Sequence, residues 1–193
     1  RGIDLSGKVQ HAFTPDFWMI LNGTFTYSKA TYRKIEEATS KPAWQRREGH
    51  ELSQQIGYIA EGLFRDQAEI NNSPTQGGDI MPGDIRYRDI NKDGVIDVND
   101  ATYIGFPTTP RGIYGFSGFF NFKNIEFSFA FQGSGKRAFF MNPQKISPFM
   151  DNRAMLKAIY DDHWSADNME ERPFWPRLST QSIIVHNPQE AWG

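Results

Sequence analysis

Six residues in one short stretch have the types and spacing to hold a cation. Within GDIRYRDINKDGVIDVNDATYIG (residues 83–105), Asp89, Asn91, Asp93, Gly94, Asp97 and Asp100 fall at positions 1, 3, 5, 6, 9 and 12 of a calcium loop. Alternate side chains of a tight loop converge on one point. Val95, at position 7, adds a backbone carbonyl, and Gly94 permits the positive-φ turn that wraps the chain round an ion. Four aspartates crowd together with only Lys92 inside the loop to offset them. A hard divalent ion is the natural counter-charge, and Ca²⁺ suits many flexible oxygen ligands better than Mg²⁺ does. The plainer alternative is a polar turn in which Asp, Asn and Gly do what turn residues do. A random turn seldom fills every ligand position and also sets an apolar residue, here Ile96, at position 8. Position 12 is Asp100 and not the bidentate Glu of a sensor loop, and the flanks read as extended, so the loop resembles dockerin-type calcium loops. That favours a structural ion over a signalling one.

The elements that must carry this loop are strands. At residues 3–13 the odd positions are Ile3, Leu5, Gly7, Val9, His11 and Phe13, while Asp4, Ser6, Lys8 and Gln10 alternate with them. After Thr14-Pro15-Asp16 the period of two resumes over 17–28, with Phe17, Met19, Leu21, Phe25 and Tyr27 on one face, which predicts a hairpin with a very short turn. A second pair spans 113–122 and 125–133, joined by Lys123-Asn124. There Phe127, Phe129 and Phe131 alternate with Glu126, Ser128 and Gln132. By contrast, 29–112 and 134–193 are long, polar and rich in Pro and Gly. Tight turns at one end and long loops at the other are the asymmetry of an outer-membrane β-barrel.

Each run is about 9 to 11 residues, the span a tilted strand needs to cross a bilayer, against about 5 to 6 in globular sheets. A soluble β-sandwich, with the aromatic face packed on a second sheet, is the competing fold. Four strands cannot close alone, since eight make the smallest barrel, so the pattern predicts a piece of something larger. Composition agrees: aromatic residues make up 15% of the chain, yet mean hydropathy is −0.59. That pairing fits aromatic side chains confined to alternate strand positions between hydrophilic loops. The balance of 21 Lys+Arg against 23 Asp+Glu argues against a nucleic-acid surface. Cysteine is absent, which excludes disulfides and thiol chemistry, and no apolar run is long enough for a membrane helix.

GYIAEGLF (57–64), QAEINNSP (67–74), PGDIRYRDINKDGVIDVNDATYIG (82–105), YGFSGFFNFKNIEFSFAFQGSG (114–135) and DDHWSADN…PRLS (161–179) occur in the order of a known family. Together they resemble the C-terminal part of SusC/RagA-type TonB-linked outer-membrane proteins. The resemblance implies a 22-stranded transmembrane barrel with an N-terminal plug, of which this chain is a four-stranded segment. It implies import of glycan oligosaccharides or peptides in Bacteroidetes, with a SusD-like surface lipoprotein and energy from the TonB complex. It also implies a dimer of transporter–lipoprotein pairs. The plug, the TonB box and the last barrel strands of such proteins are not matched here, so TonB-contacting residues are not placed on this chain.

In the first long loop, 57–64 reads as extended and 66–70 as one helical turn. In the second, Asp151 or Asn152 caps an expected helix running to Trp164, with Met155, Leu156, Ile159, Tyr160 and His163 along one stripe. That stripe is either buried or a surface for the lipoprotein. Trp44, Trp164, Trp175 and Trp192 lie in loops, where they serve either as loop core or as the rim of a sugar site. No catalytic constellation stands out: the four histidines are scattered, Gly133-Ser134-Gly135-Lys136 lacks the preceding glycine of a phosphate loop, and adjacent acids such as Asp161-Asp162 point apart. The expectation is a transporter and not an enzyme. The alternative is a secreted carbohydrate-binding β-domain with a structural calcium loop.

Overall fold

The computed structural model describes residues 1–141, 148–149, 154–168 and 173–179. Among them run ten strands: β1 (Gly2–Thr14), β2 (Phe17–Ser28), β3 (Gln55–Gly57), β4 (Ala60–Leu63), β5 (Thr75–Gln76), β6 (Ile85–Tyr87), β7 (Val95–Ile96), β8 (Thr102–Ile104), β9 (Gly112–Phe122) and β10 (Ile125–Gly135). The chain divides into two units, one of residues 1–36, 47–54 and 105–138, the other of 37–46, 55–104 and 139–193. Each is built by a different logic.

The first unit is one antiparallel sheet in the order β1-β2-β9-β10. Its four strands are 11 to 13 residues long, twice the usual globular length. The sheet is open and does not close into a barrel. Both turns lie at the same end, because Phe17 stands opposite Phe122 and the Lys123 N–H donates to the Asp16 carbonyl at 2.7 Å. Lys123 takes φ +53°, the left-handed geometry that two-residue hairpin turns require at their first position.

The register sorts side chains by parity. Val9 faces Leu21, Leu21 faces Gly118, and Gly118 faces Phe129, so one face carries most of the aliphatic and aromatic side chains of the four strands. Phe129 sits at its centre, with ring centroids of Phe116, Phe120, Phe127 and Phe131 between 5.5 and 6.2 Å away. Gly118 makes room for it: a Cβ there would lie 2.6 Å from the Phe129 ring. The face stays open to solvent, with Phe127 60% and Phe131 66% exposed. Fully burying one such ring is worth about 1.5 to 3 kcal/mol, so this face leaves a large stabilisation unrealised until an apolar medium covers it.

Beyond β2 the chain is tied back by a buried ion pair. Glu51, 6% exposed, accepts from Arg111 Nε at 2.7 Å and from its Nη2, and Lys29 stands 3.6 Å away. The Arg111 guanidinium also lies over the Phe106 ring, 4.9 Å from its centroid. Burial pushes the Glu51 carboxyl up, but the Arg111 and Lys29 cations outweigh it and hold it below the ordinary carboxylate value.

The second unit has small paired strands: β3 with β8 and β4 with β6 antiparallel, β5 with β7 parallel. Ile85 and Tyr87 form its core, with Tyr58, Ala60, Leu63 and Ile96 packed against them. The buried Gln76 amide bridges one strand edge, donating to Ile85 O at 2.9 Å and accepting from Tyr87 N–H at 2.8 Å. The helix Gln67–Asn71 is capped by Asp66, whose Oδ1 accepts from Glu69 N–H.

Trp164 and Arg177 pin their segments to the 81–84 turn. Asp84, fully buried, accepts from Arg177 Nε at 2.7 Å and from Met81 N–H at 2.8 Å. Arg177 N–H donates to Gly83 O, and the Trp164 ring lies where a Cβ on Gly83 would stand, 2.3 Å from its Cε3. Among the described residues the helix expected to run to Trp164 is shorter. Only Lys157–Asp161 is helical, after an extended Leu156 without a side-chain cap, and the proposed caps Asp151 and Asn152 lie outside the described residues. Five residues make less than two turns, too few to align a stripe. Ile159 is buried, while Leu156 and Tyr160 are more than half exposed.

Two predictions follow from these anchors, both for the full-length protein. Gly83→Ala, strained by φ +88° and by the Trp164 ring, should cost more than about 2 kcal/mol, while Gly94→Ala, at φ +86° in open space, should cost about 1. Proteolysis rates of the 55–104 region in the two variants measure the difference. Because the folded Glu51 pKa lies below its unfolded value near 4.5, its stabilisation is complete above that pH and is lost as pH falls through the folded value. The thermal midpoint of the wild-type protein should therefore drop on acidification, and that of Glu51→Gln should start lower and drop less.

Candidate functional site

The aspartate loop is entered from β6 and left through a 3-10 turn, Val98–Asp100, that leads into β8. Its first half is a run of side-chain-to-backbone bonds. Asp89 accepts from Lys92 N–H through Oδ1 and from Gly94 N–H through Oδ2 at 2.8 Å. Asn91 Oδ1 accepts from Asp93 N–H, and Asp93 Oδ1 accepts from Val95 N–H, each at 2.9 Å. Left-handed φ values at Lys92 (+63°) and Gly94 (+86°) complete the curl. These are the bonds Asx residues make in turns, here three in succession.

The second half is a cap. Asp97 accepts from Asn99 N–H at 2.7 Å and Asp100 Oδ2 accepts from Asp97 N–H at 2.9 Å, a reciprocal pair around the 3-10 turn. Asp100 is fully buried, and its Oδ1 reaches across the loop to the N–H groups of Ile90 (2.8 Å) and Asn91 (3.3 Å). One carboxylate thus ties the entrance of the loop to its exit.

All six sequence-predicted ligands stand on this one loop, but their carboxylates are turned onto backbone amides. Among the described residues no three Asp, Glu or His side chains are gathered as a metal cluster. The donor chemistry still suits a hard cation, since every candidate ligand atom is oxygen and an amide bond engages only one of an oxygen's two lone pairs. Asp100 is the exception in detail. Its Oδ1 is fully engaged, leaving one position on Oδ2 where a sensor loop needs a bidentate ligand.

Spacing did not single out the brace on this loop. Trp44 Nε1 donates to Asn99 O at 2.8 Å, Gln45 Nε2 donates to Val98 O at 2.7 Å, and Thr102 Oγ1 donates to Trp44 O at 3.2 Å. Trp44 is therefore loop structure in its polar contact, as Trp164 is through its ring against Gly83. Trp192 lies outside the described residues. A separation of more than 50 residues hides such a clamp from any local pattern.

The sheet offers the other candidate surface. Opposite its apolar face stand Asp4, Lys8, Gln10, Asn22, Ser117, Glu126, Ser128 and Gln132, with Asn22 Nδ2 donating to Ser117 Oγ at 3.3 Å and Thr26 Oγ1 to Asp4 Oδ1 at 2.9 Å. Near the turns this face becomes apolar, where the Trp18 and Phe119 rings stack at 5.1 Å, and Ile113 adds one apolar side chain at the far end. No helix among the described residues is long and apolar enough to cross a membrane.

No family model matches the chain. TonB-dependent receptor P26 of Formosa agariphila (strain DSM 15362 / KCTC 12365 / LMG 23005 / KMM 3901 / M-2Alg 35-1) is 31% identical over 131 residues, covering 68% of this chain and 13% of the relative. TonB-dependent receptor P3 of the same strain is 31% identical over 88 residues, covering 46% and 9%. Among solved structures, that of the RagAB peptide transporter matches at a TM-score of 0.59 and 15% identity, and that of the RagAB peptide importer in its open-open state at 0.62 and 16%. Both matches cover 97% of this chain and 20% of that one, and at such identity they speak to the fold. The chain spans 13% or less of the curated relatives it matches, and those relatives are receptors, not enzymes. With long antiparallel strands, an exposed aromatic face and these relatives, the chain belongs to the TonB-dependent receptors.

Proposed function

We propose that these four strands are part of the wall of an outer-membrane TonB-dependent importer. The observation that carries this reading is the exposed apolar face on strands of 11 to 13 residues, backed by a polar face. In water such a face would aggregate, and its rings at Phe127 and Phe131 are more than half exposed. In lipid it is the surface a barrel needs, while Lys8, Asn22, Ser117, Ser128 and Gln132 line the hydrated interior. The turns at Pro15-Asp16 and Lys123-Asn124 then lie on the periplasmic side, and the second unit belongs to the extracellular loops.

The cargo class is a peptide or a glycan fragment, drawn through a larger, 22-stranded barrel with energy from TonB. A peptide is favoured by the structural likeness to RagAB, a peptide transporter. A SusD-like lipoprotein covers the extracellular side, in a dimer of such pairs. The aspartate loop holds a structural Ca²⁺ through Asp89, Asn91, Asp93, the Val95 carbonyl, Asp97 and Asp100. There the ion supplies counter-charge to four carboxylates and stiffens the 83–105 segment.

For the wall, spin labels at positions 128 and 129 of the full-length receptor in vesicles should differ: label 129 accessible to oxygen in lipid, label 128 to a water-soluble nickel chelate. Equal accessibility would sink the reading. For the ion, EDTA should speed proteolysis within 83–105 several-fold, and Asp93→Ala should do so without EDTA. A cleavage rate indifferent to chelation removes the metal from the account and leaves the wall untouched.

A further inference from the structure

At its long-loop end the ladder between β2 and β9 stops at the Ser28 N–H bond to Arg111 O. The sequence explains why. Continued in register, Lys29 and Tyr32 would face Pro110 and Pro107, and a proline has no N–H to give. The two strands therefore fork, and residues 49–53 of the first long loop fill the gap. On the β2 side they run as an antiparallel strand: Leu52 N–H donates to Ala30 O at 3.0 Å, Tyr32 N–H to His50 O at 3.0 Å, and Gly49 N–H to Tyr32 O at 2.9 Å. Toward β9 the contact is slighter, with Thr108 N–H donating to Ser53 O and Ser53 Oγ to Thr109 Oγ1, each at 3.2 Å.

The packing of this segment is thin. Within 47–54 Glu51 is the one buried residue, and Leu52, the only large apolar side chain, is 44% exposed. Ser53 takes φ +61°, a left-handed conformation uncommon outside glycine. The Glu51 carboxylate stands in the fork between a cation from each arm, Arg111 and Lys29. Main-chain bonds along an open strand edge, with one side chain read by its chemistry, are how a sheet recognises an added extended peptide.

We propose that the fork is a binding slot for an extended peptide with an acidic side chain, and that residues 49–53 fill it as an internal competitor. Arg111 grips the carboxylate through two nitrogens and Lys29 adds a second charge. An incoming strand takes over the bonds to Ala30 and Tyr32, with its carboxylate in the position of Glu51. The proposal rests on the wall reading, which sets this end of the sheet outside the cell, and adds to it a ligand class and a competitor.

The test uses the full-length receptor and one synthetic probe, the blocked peptide Glu-Gly-His-Glu-Leu-Ser-Gln copied from residues 48–54. With the competing carboxylate removed by Glu51→Gln, the receptor should bind this peptide about tenfold more tightly than wild type does. The same peptide with glutamine at its fourth position should bind that variant about tenfold more weakly. In the unaltered receptor, saturating peptide should speed hydrogen exchange of the Leu52 amide several-fold while the Tyr32 amide stays protected, because the new strand accepts from Tyr32 in turn. That arm needs no substitution, so a variant that misfolds does not decide the matter. Peptide that binds wild type and Glu51→Gln equally, or neither, or that leaves Leu52 exchange unchanged at saturation, overturns the slot. Neither arm reads lipid exposure, so the labels at 128 and 129 judge the wall separately.

Discussion

Everything in the first unit depends on the ladder between β2 and β9. Eleven residue pairs, from Phe17 opposite Phe122 to Tyr27 opposite Gly112, join two hairpins whose sequences are separated by residues 29–111. Because side chains alternate with period two, that single register decides which side of all four strands is apolar. A slip of one residue would move Phe120 from Met19 to Trp18 or Ile20 and mix the two faces. The same pairing brings both tight turns to one end and sends both long segments out from the other.

The second unit meets the opposite problem. Its backbone is mostly irregular, so its polar groups are satisfied piecemeal by side chains: Gln76 on the β6 edge, Asp84 on the 81–84 turn, Asp100 across the mouth of the aspartate loop. Each of these is 8% exposed or less, which makes them expensive to leave unpaired. A loop built this way holds its shape through a few buried polar contacts more than through its small apolar core. An added ion at Asp89 to Asp100 would reinforce a loop that its own amide bonds already shape.

The strand periodicity was legible because apolar and polar residues alternate along each strand, as in Phe127, Phe129 and Phe131 against Glu126, Ser128 and Gln132. The candidate ligands were legible because a loop concentrates its chemistry in consecutive residues. Long-range ties were not legible: nothing near Trp44 announces Asn99, and nothing near Asp84 announces Arg177. The expected helix to Trp164 failed for a related reason. Helical spacing of Leu156, Ile159, Tyr160 and His163 is a local signal, but His163 and Trp164 are taken by bridge and backbone pairing with Trp175. Tertiary pairing overrode propensity there. Position 12 marks Asp100 as a candidate ligand, and only its burial and its bonds to Ile90 and Asn91 N–H reveal that it closes the loop.

The central claim is that the sheet separates lipid from water, and β10 tests it most directly. Labels placed singly at every position from Ile125 to Gly135 in the full-length receptor, reconstituted in vesicles, should give oxygen and nickel-chelate accessibilities that alternate in antiphase with a period of two residues. Maxima for oxygen should fall at 127, 129 and 131. A profile without that period, or one in which both faces are open to the nickel chelate, would contradict the account.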